Sequence, residues 1–317
     1  MRILFAGTSS IGEQALRAVA LNYELIGLLT PPDRLVGRHQ ELKPPALKES
    51  FLKVAPGLPI LQPENLRNAE VINSLEALNP DVIVTMSYGK ILPPEILTIP
   101  PLGCLNIHAS LLPRHRGASP IQAAIIAGDT HSGITIMYMG EGLDNGDILL
   151  TKKIPIAPRD TSGMLHDRLA ELSPIALLEA LDLLQKGIAP RIPQLEKEVT
   201  ITRRILYSDA TLDWACSAVT VERLIRAMNP KPGAHGIITL PSGKKSELKI
   251  FSAYARPFLQ KNRDLQPGSF FLSEAKELLL CCKEGALLLE EVQPISRSRM
   301  SFSEFARGHG INPDISH

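Results

Sequence analysis

Apolar residues in the first half of the chain fall into short runs separated by amphipathic stretches. Arg2–Ala6, Glu24–Thr30, Pro59–Leu61, Asp81–Met86 and Leu105–His108 are of strand length. Between them, apolar positions at helical spacing predict helices near Ile11–Leu21, Ala46–Ala55 and Ala69–Leu78. Repeated strand–helix alternation implies a Rossmann-like α/β domain with a mostly parallel sheet and right-handed crossovers. After Asp129 the pattern changes. Gly133–Met139 and Asp147–Ile156 flank the turn-prone Asp144-Asn145-Gly146, which predicts a hairpin. A helix follows over about 162–185, with Leu165, Leu169, Leu172, Ile175 and Leu178 at helical spacing.

Residues 188–207 carry prolines and charge without periodicity and are read as a linker between domains at 1–187 and 208–317. Beyond the linker, a helix over about 218–228 precedes short β-rich runs at Gly236–Leu240, Leu248–Ala253, Phe270–Leu272, Glu277–Cys282 and Ala286–Val292. Short strands divided by Gly, Pro and Lys turns predict a smaller, antiparallel, OB-like β-barrel.

A length of 317 residues is comfortable for two domains, and 44% hydrophobic with 21% charged residues is ordinary for a globular protein. The formal net charge of +1 argues against indiscriminate coating of nucleic acid but leaves room for a local basic face. Cys104, Cys216, Cys281 and Cys282 show no metal-ligand spacing, and the adjacent pair sits in an apolar run typical of a buried strand. No signal peptide and no apolar run of about 20 residues is visible. The expectation is a cytoplasmic monomer with no bound metal and no membrane association.

The chemistry concentrates in Cys104-Leu-Asn-Ile-His-Ala-Ser-Leu-Leu-Pro-Arg-His-Arg-Gly117 and in Gly142-Leu-Asp-Asn-Gly-Asp147. Side chains two apart on a strand share a face, so Asn106 and His108 point the same way. Pro113 stops the strand and leaves both near its carboxyl end, where open α/β sheets bind ligands. The chain has no Gly-x-Ser-x-Gly elbow, no His-Glu-x-x-His and no phosphate loop ending in Gly-Lys-Ser/Thr. Gly7-Thr-Ser-Ser-Ile-Gly12 is not the dinucleotide fingerprint, and Thr30 stands where an acidic residue would hold ribose, which argues against a nicotinamide enzyme.

Asn, His and Asp without a nucleophile suit direct group transfer. When an amine attacks a carbonyl carbon, the oxyanion needs donors, which Asn106 and a protonated His108 can supply, each typically worth ~2.7–4 kcal/mol. Histidine can relay the proton that the amine loses and the leaving nitrogen gains, contributing roughly 10²–10⁴-fold. A carboxylate beside it, Asp144, would orient the ring and favour the imidazolium. Taken singly these residues could be a structural histidine, a hairpin-turn aspartate and a capping asparagine. Their joint appearance with Ser110-Leu-Leu-Pro113 is far more specific.

Asn106-x-His108, the Ser-Leu-Leu-Pro loop, Arg116-Gly117-Ala-Ser-Pro-Ile-Gln122 and Gly142–Asp147 resemble the folate-dependent formyltransferases, and among them those acting on methionyl-tRNA. Further matches are Phe5-Ala-Gly-Thr8, Pro32-Asp-Arg34 with Gly37-Arg38, Ser87-Tyr-Gly-Lys-Ile-Leu-Pro93 and Arg299-Met-Ser-Phe-Ser-Glu-Phe305. The last lies near the end of the second domain, so the likeness spans nearly the whole chain. It implies that Asn106, His108 and Asp144 are catalytic. It also implies that Ser110, Leu111, Leu112, Pro113, Tyr88, Gly89, Ile91, Leu92 and Leu143 bind a reduced folate. The formyl donor would be 10-formyltetrahydrofolate and the acceptor the α-amino group of methionine on initiator tRNA.

In this family an inserted loop and the barrel domain grip the tRNA. Here that implies Arg38 and Lys43 on the loop at 31–45, with Arg203, Arg204, Arg226 and Lys231 beyond. Two departures stand out: His39-Gln40-Glu41 replaces the family's lysines, and Lys231 stands where Trp is usual. The rival readings are formylation of a nucleotide-sugar amine or a purine precursor, hydrolysis of the donor, and an RNA-binding protein that has lost catalysis.

Overall fold

The structure, a computed structural model, describes residues 1–37, 40–240, 242–257 and 265–311. It has two compact units: Met1–Pro120, His131–Pro155 and Leu165–Arg204 in the first, and Ile121–Thr130, Ile156–Met164 and Ile205–His317 in the second. In chain order come β1 (Arg2–Gly7), α1 (Glu13–Asn22), β2 (Glu24–Leu29), β3 (Arg34–Val36), β4 (Glu41–Lys43), α2 (Ala46–Val54), β5 (Ile60–Leu61), α3 (Ala69–Leu78) and β6 (Val82–Met86). Then follow α4 (Pro94–Leu97), β7 (Cys104–His108), β8 (Arg116–Gly117), α5 (Pro120–Ala127), β9 (His131–Tyr138), β10 (Ile148–Pro155), α6 (Ser162–Gln185) and β11 (Ile201–Thr202).

The first unit is built on a seven-stranded sheet in the order β10-β9-β7-β6-β1-β2-β5. β7, β6, β1, β2 and β5 are parallel, as the alternating pattern requires. β9 runs antiparallel to both β7 and β10, so the expected hairpin extends one edge of the sheet. Central strands are apolar on both faces because both are covered: Ile3 to Ala6 and Val82 to Val84 have no exposed surface. β1 lies between β2 and β6, so the order reverses there and opens a crevice at the strands' carboxyl ends. At that end Thr8 Oγ1 donates to the Tyr88 carbonyl at 2.9 Å, tying the turn after β1 to the turn after β6.

Three local features depart from the sequence reading. On α6, Ile175 is exposed, while Ser173, Ala176 and Ala180 are buried beside Leu165, Leu169 and Leu177. Small residues allow close packing, so choosing the face by size alone misphases the helix. Pro174 sits inside α6 and cannot donate to the Ala170 carbonyl, which accepts the Ser173 hydroxyl instead at 2.8 Å. In the loop at 31–45, β3 and β4 form a short hairpin that exposes Leu35 and Leu42. Within the segment read as a linker, Ile192 exchanges both backbone hydrogen bonds with Ile148, at 2.8 and 3.0 Å, and β11 pairs in parallel with β8.

The second unit adds α7 (Ala218–Ala227), β12 (Ala234–Thr239), β13 (Lys245–Arg256), β14 (Phe270–Leu272), β15 (Leu278–Cys281), β16 (Ala286–Pro294), β17 (Met300–Ser301) and α8 (Phe302–Gly308). Its strands form an antiparallel half-barrel in the order β12-β13-β16-β15-β14, with β17 beside β16. Register shifts on β13 between Ile250 and Ala253 are bulges that bend a long strand. Val221 and Ile225 of α7 share the core with Leu248, Ile250, Leu287 and Phe305, and Trp214 packs against it. The Arg299–Phe305 motif becomes β17 and α8. The Ser301 hydroxyl caps the Glu304 N–H at 3.2 Å, and the Glu304 carboxylate accepts the Ser301 N–H at 3.0 Å.

Among the described residues no helix is long and apolar enough to cross a membrane. Burial pushes the Cys104 and Cys282 thiols up to about 12 and raises that of Cys281, whereas Cys216 is half-exposed. Thiolate is the reactive form. A disulfide reagent is therefore expected to titrate one thiol, Cys216, in the native protein and all four after denaturation; two or more fast native thiols would contradict this burial pattern.

Candidate active site

β6 and β7 build the site together. Thr85, the one hydroxyl residue in Val82–Met86, sits in register with Asn106 and is buried. Its hydroxyl donates to Asn106 Oδ1 at 2.8 Å, closer than its alternative acceptors, the Leu105 carbonyl at 3.2 Å and Met139 Sδ at 3.4 Å. That bond sets which way the amide faces. Asn106 Nδ2 then donates to Asp144 Oδ1 at 3.2 Å. An amide nitrogen has two hydrogens, so a second donor is left over from this pair.

His108 is 5% exposed, with Nε2 at 2.9 Å from the His115 carbonyl. A carbonyl only accepts, so Nε2 carries the proton and Nδ1 is the basic nitrogen. Nδ1 faces Asp144 Oδ2 at 3.6 Å. The loop supplying the His115 carbonyl is anchored at both ends. Ser110 Oγ donates to the Arg114 carbonyl at 2.7 Å, and Thr135 Oγ1 donates to the Ser110 carbonyl at 2.7 Å while accepting the Leu112 N–H at 3.2 Å. His115 takes a positive φ of 60° and donates its N–H to Thr200 Oγ1 at 2.8 Å.

Asp144 also has a positive φ, 46°, within the turn between β9 and β10. Its Oδ2 accepts the Gly117 N–H at 2.8 Å. Gly117 has φ 109°, and a Cβ there would run into the Thr202 carbonyl oxygen, so only glycine brings this N–H to the carboxylate. Gln194 donates from Nε2 to the carbonyls of Asp144 and Gly146, both at 2.8 Å. The buried Arg116 donates from Nε to Gln194 Oε1 at 2.9 Å and pairs with Glu196 at 2.9 Å. Thr85, Gln194 and Thr200 were not singled out from the sequence. Only Thr85 left a trace there, as the polar residue in an apolar strand.

The other expected site residues divide by exposure. Gly89, Ile91 and Leu143 are exposed, and Leu111 and Pro113 are half-buried. Ser110 and Leu112 are buried in the loop, while Tyr88 and Leu92 lie in a core cluster with Leu4, Ile83 and Ile96. Burial drives the Tyr88 phenol above its ordinary range, and its hydroxyl has no hydrogen-bond partner among the described residues. Of the expected tRNA contacts, Arg203, Arg204 and Lys231 are exposed. Lys43 is exposed and 3.4 Å from Glu41. Arg226 is committed elsewhere: Nε and Nη2 bind Glu222 at 2.6 and 3.1 Å, and Nη1 binds the Asp160 carbonyl at 3.0 Å. Arg38 lies outside the described residues.

Known structures share this architecture. A sugar 3N-formyl transferase, WlaRD, superposes with a TM-score of 0.65 at 16% identity, over 94% of this chain and 99% of its own. HypX from Aquifex aeolicus, solved in complex with tetrahydrofolic acid, gives 0.60 at 18% identity over 96% of this chain and 47% of its own. At these identities the likeness is one of fold. In sequence, residues 1–181 match the formyl transferase family and residues 204–310 the formyl transferase C-terminal domain. The methionyl-tRNA formyltransferase of Akkermansia muciniphila is 40% identical over 99% of both chains, and that of Symbiobacterium thermophilum is 42% identical over 98% of this chain and 93% of its own. With both halves matched in order and relatives that similar along their full length, this chain belongs to the methionyl-tRNA formyltransferase family.

Proposed function

We propose that this protein transfers the formyl group of 10-formyltetrahydrofolate to the α-amino group of methionine on initiator tRNA, acting as a cytoplasmic monomer. The observation that carries the reading is the trio at the end of β7: an amide with a spare donor, an imidazole with its basic nitrogen turned toward a carboxylate, and that carboxylate. Residues 1–187 would hold the reacting groups, 188–207 would connect while pairing with the first domain, and 208–317 would grip the tRNA.

The folate reading is supported by apolar side chains left exposed on the loops flanking the site, Ile91 at 68% and Leu143 at 50%. Pro113 and Leu111 add apolar surface beside Ser110. Bound there, the donor supplies a formyl carbon already attached to nitrogen. The protein's part is electrostatic and protonic. Asn106 Nδ2 directs its second N–H at the oxygen that gains charge during transfer. His108 Nδ1 accepts the proton released by the attacking amine and returns one to the departing nitrogen. Asp144 steadies the imidazolium between those two events. An α-amino group has a reference pKa of ~7.7–8.0, so part of it is neutral and nucleophilic near pH 7.

The test is transfer of labelled formyl from 10-formyltetrahydrofolate to methionyl initiator tRNA, with elongator methionyl-tRNA as control. Initiator-selective transfer is expected. Transfer to a sugar amine or to water, with none to tRNA, would move the acceptor and refute the reading. For the tRNA grip, Arg204→Ala and Lys231→Ala are each expected to weaken binding equally for all tRNAs. Each should also reduce the slope of log K against log salt by about 1, as a lost phosphate contact does. Arg226→Ala is expected to leave that slope unchanged and to destabilise the second unit instead, since its guanidinium is already bound within that unit.

A further inference from the structure

We infer that Gln194 is a positioning residue for formyl transfer, through its hold on the backbone of Asp144. This rests on the catalytic roles proposed above. The carboxylate that faces His108 Nδ1 stands on a turn residue at φ 46°, a conformation that L residues other than Asn and Asp rarely adopt. Its side-chain contacts, to Asn106 and Gly117, fix the carboxylate but not the turn beneath it. Among the described residues, the backbone carbonyls of this turn are held by the side chain of Gln194. Gln194 Nε2 spends both hydrogens there, on the Asp144 and Gly146 carbonyls, each at 2.8 Å.

Three further observations show that Gln194 is itself held in place. Its Oε1 accepts Arg116 Nε at 2.9 Å, which fixes the amide with its nitrogen toward the turn. Arg116 is 7% exposed, and its second arm pairs with Glu196 on the same segment. The backbone just before it is tied down by the paired hydrogen bonds of Ile192 with Ile148. Arg116 also adjoins Gly117, whose N–H binds the same carboxylate. The loop carrying the His115 carbonyl and the turn carrying Asp144 are therefore joined twice, directly through Gly117 and through the Arg116–Gln194 contact. A displacement of about 1 Å in a catalytic group can cost ~10²-fold, so a brace of this kind acts on the chemical step. Neither of its amide hydrogens is left to bind a substrate.

The substitution that tests this is Gln194→Met, which keeps chain length and bulk but offers no donor and no acceptor. Steady-state formylation is compared with wild type while 10-formyltetrahydrofolate and methionyl initiator tRNA are varied separately. The expected result is a roughly ten- to hundredfold fall in kcat, with both KM values and the tRNA Kd within about twofold. The melting temperature and near-UV spectrum serve as folding controls. A second variant, Gln194→Glu, keeps the Arg116 anchor but presents oxygens to the two carbonyls. It is expected to lose at least as much kcat, and it replaces the methionine variant should that one not fold. Wild-type kcat in either folded variant would overturn the inference, as would a loss shared equally with KM or matched by the unfolded fraction. Absence of formyl transfer by the wild-type protein would instead refute the function on which the inference rests.

Discussion

His108→Ala is expected to lower the rate of formyl transfer by roughly 10⁴-fold, the upper end of what a positioned acid–base group contributes. The full effect is expected because none of the side chains hydrogen-bonded within the trio offers a second base, and the nearby His115 imidazole has its Nδ1 3.3 Å from Thr200 Oγ1 instead. Nδ1 is the nitrogen left basic by the Nε2 bond to the His115 carbonyl, and the adjacent site side chains, Asn106, Asp144 and Thr85, hold no second basic nitrogen. Removing the ring also leaves the His115 carbonyl without its donor, a loss of about 1–3 kcal/mol in stability if water does not replace it. His108→Gln separates the two consequences. Its amide can donate to His115 but cannot accept a proton from an ammonium, so stability should recover while activity does not. Single-turnover transfer at saturating donor, with tRNA affinity measured alongside, checks this. Transfer by His108→Ala within tenfold of wild type would sink the proton-relay role.

Local periodicity made most of the fold legible. Elements that bury a continuous apolar run or stripe, such as β1, β6 and α3, lie within a residue of where the sequence places them. The features that escaped depend on distant partners. β8 and β11 are two residues each and exist only because Arg116-Gly117 and Ile201-Thr202 meet across more than eighty residues. Asn106 and His108 were legible because strand geometry puts alternate side chains on one face. Thr85 and Gln194 reach the site through contacts 21 and 50 residues away, which no local pattern encodes. Arg226 is a different case. Glu222 stands four residues before it on a predicted helix, and that spacing alone marks an intrahelical ion pair in place of a free phosphate contact.

Asp144→Asn is expected to cost roughly 10³–10⁴-fold in kcat/KM, up to the loss seen when a carboxylate that orients and stabilises an imidazolium is removed, although the new side chain has nearly the same shape. The carboxylate accepts on both oxygens: Oδ1 from Asn106 Nδ2 and Oδ2 from the Gly117 N–H. An amide has one oxygen. If its nitrogen turns toward Gly117, two donors oppose each other and stability falls by about 1–3 kcal/mol. If it turns toward Asn106, that amide must flip, and Thr85 can permit this by redirecting its hydroxyl to the Leu105 carbonyl, 3.2 Å away. The flip preserves stability but points an oxygen, not a donor, at the substrate oxygen. Both routes also remove the charge facing His108 Nδ1. The two routes are distinguishable. After a flip, adding Thr85→Val to Asp144→Asn should cost no further activity, whereas the same change in wild type should release Asn106 and cost about tenfold, a hydrogen bond's worth at a charged centre. An Asp144→Asn protein within tenfold of wild type would show that the charge beside His108 is dispensable, and the three side chains would then not act as one unit.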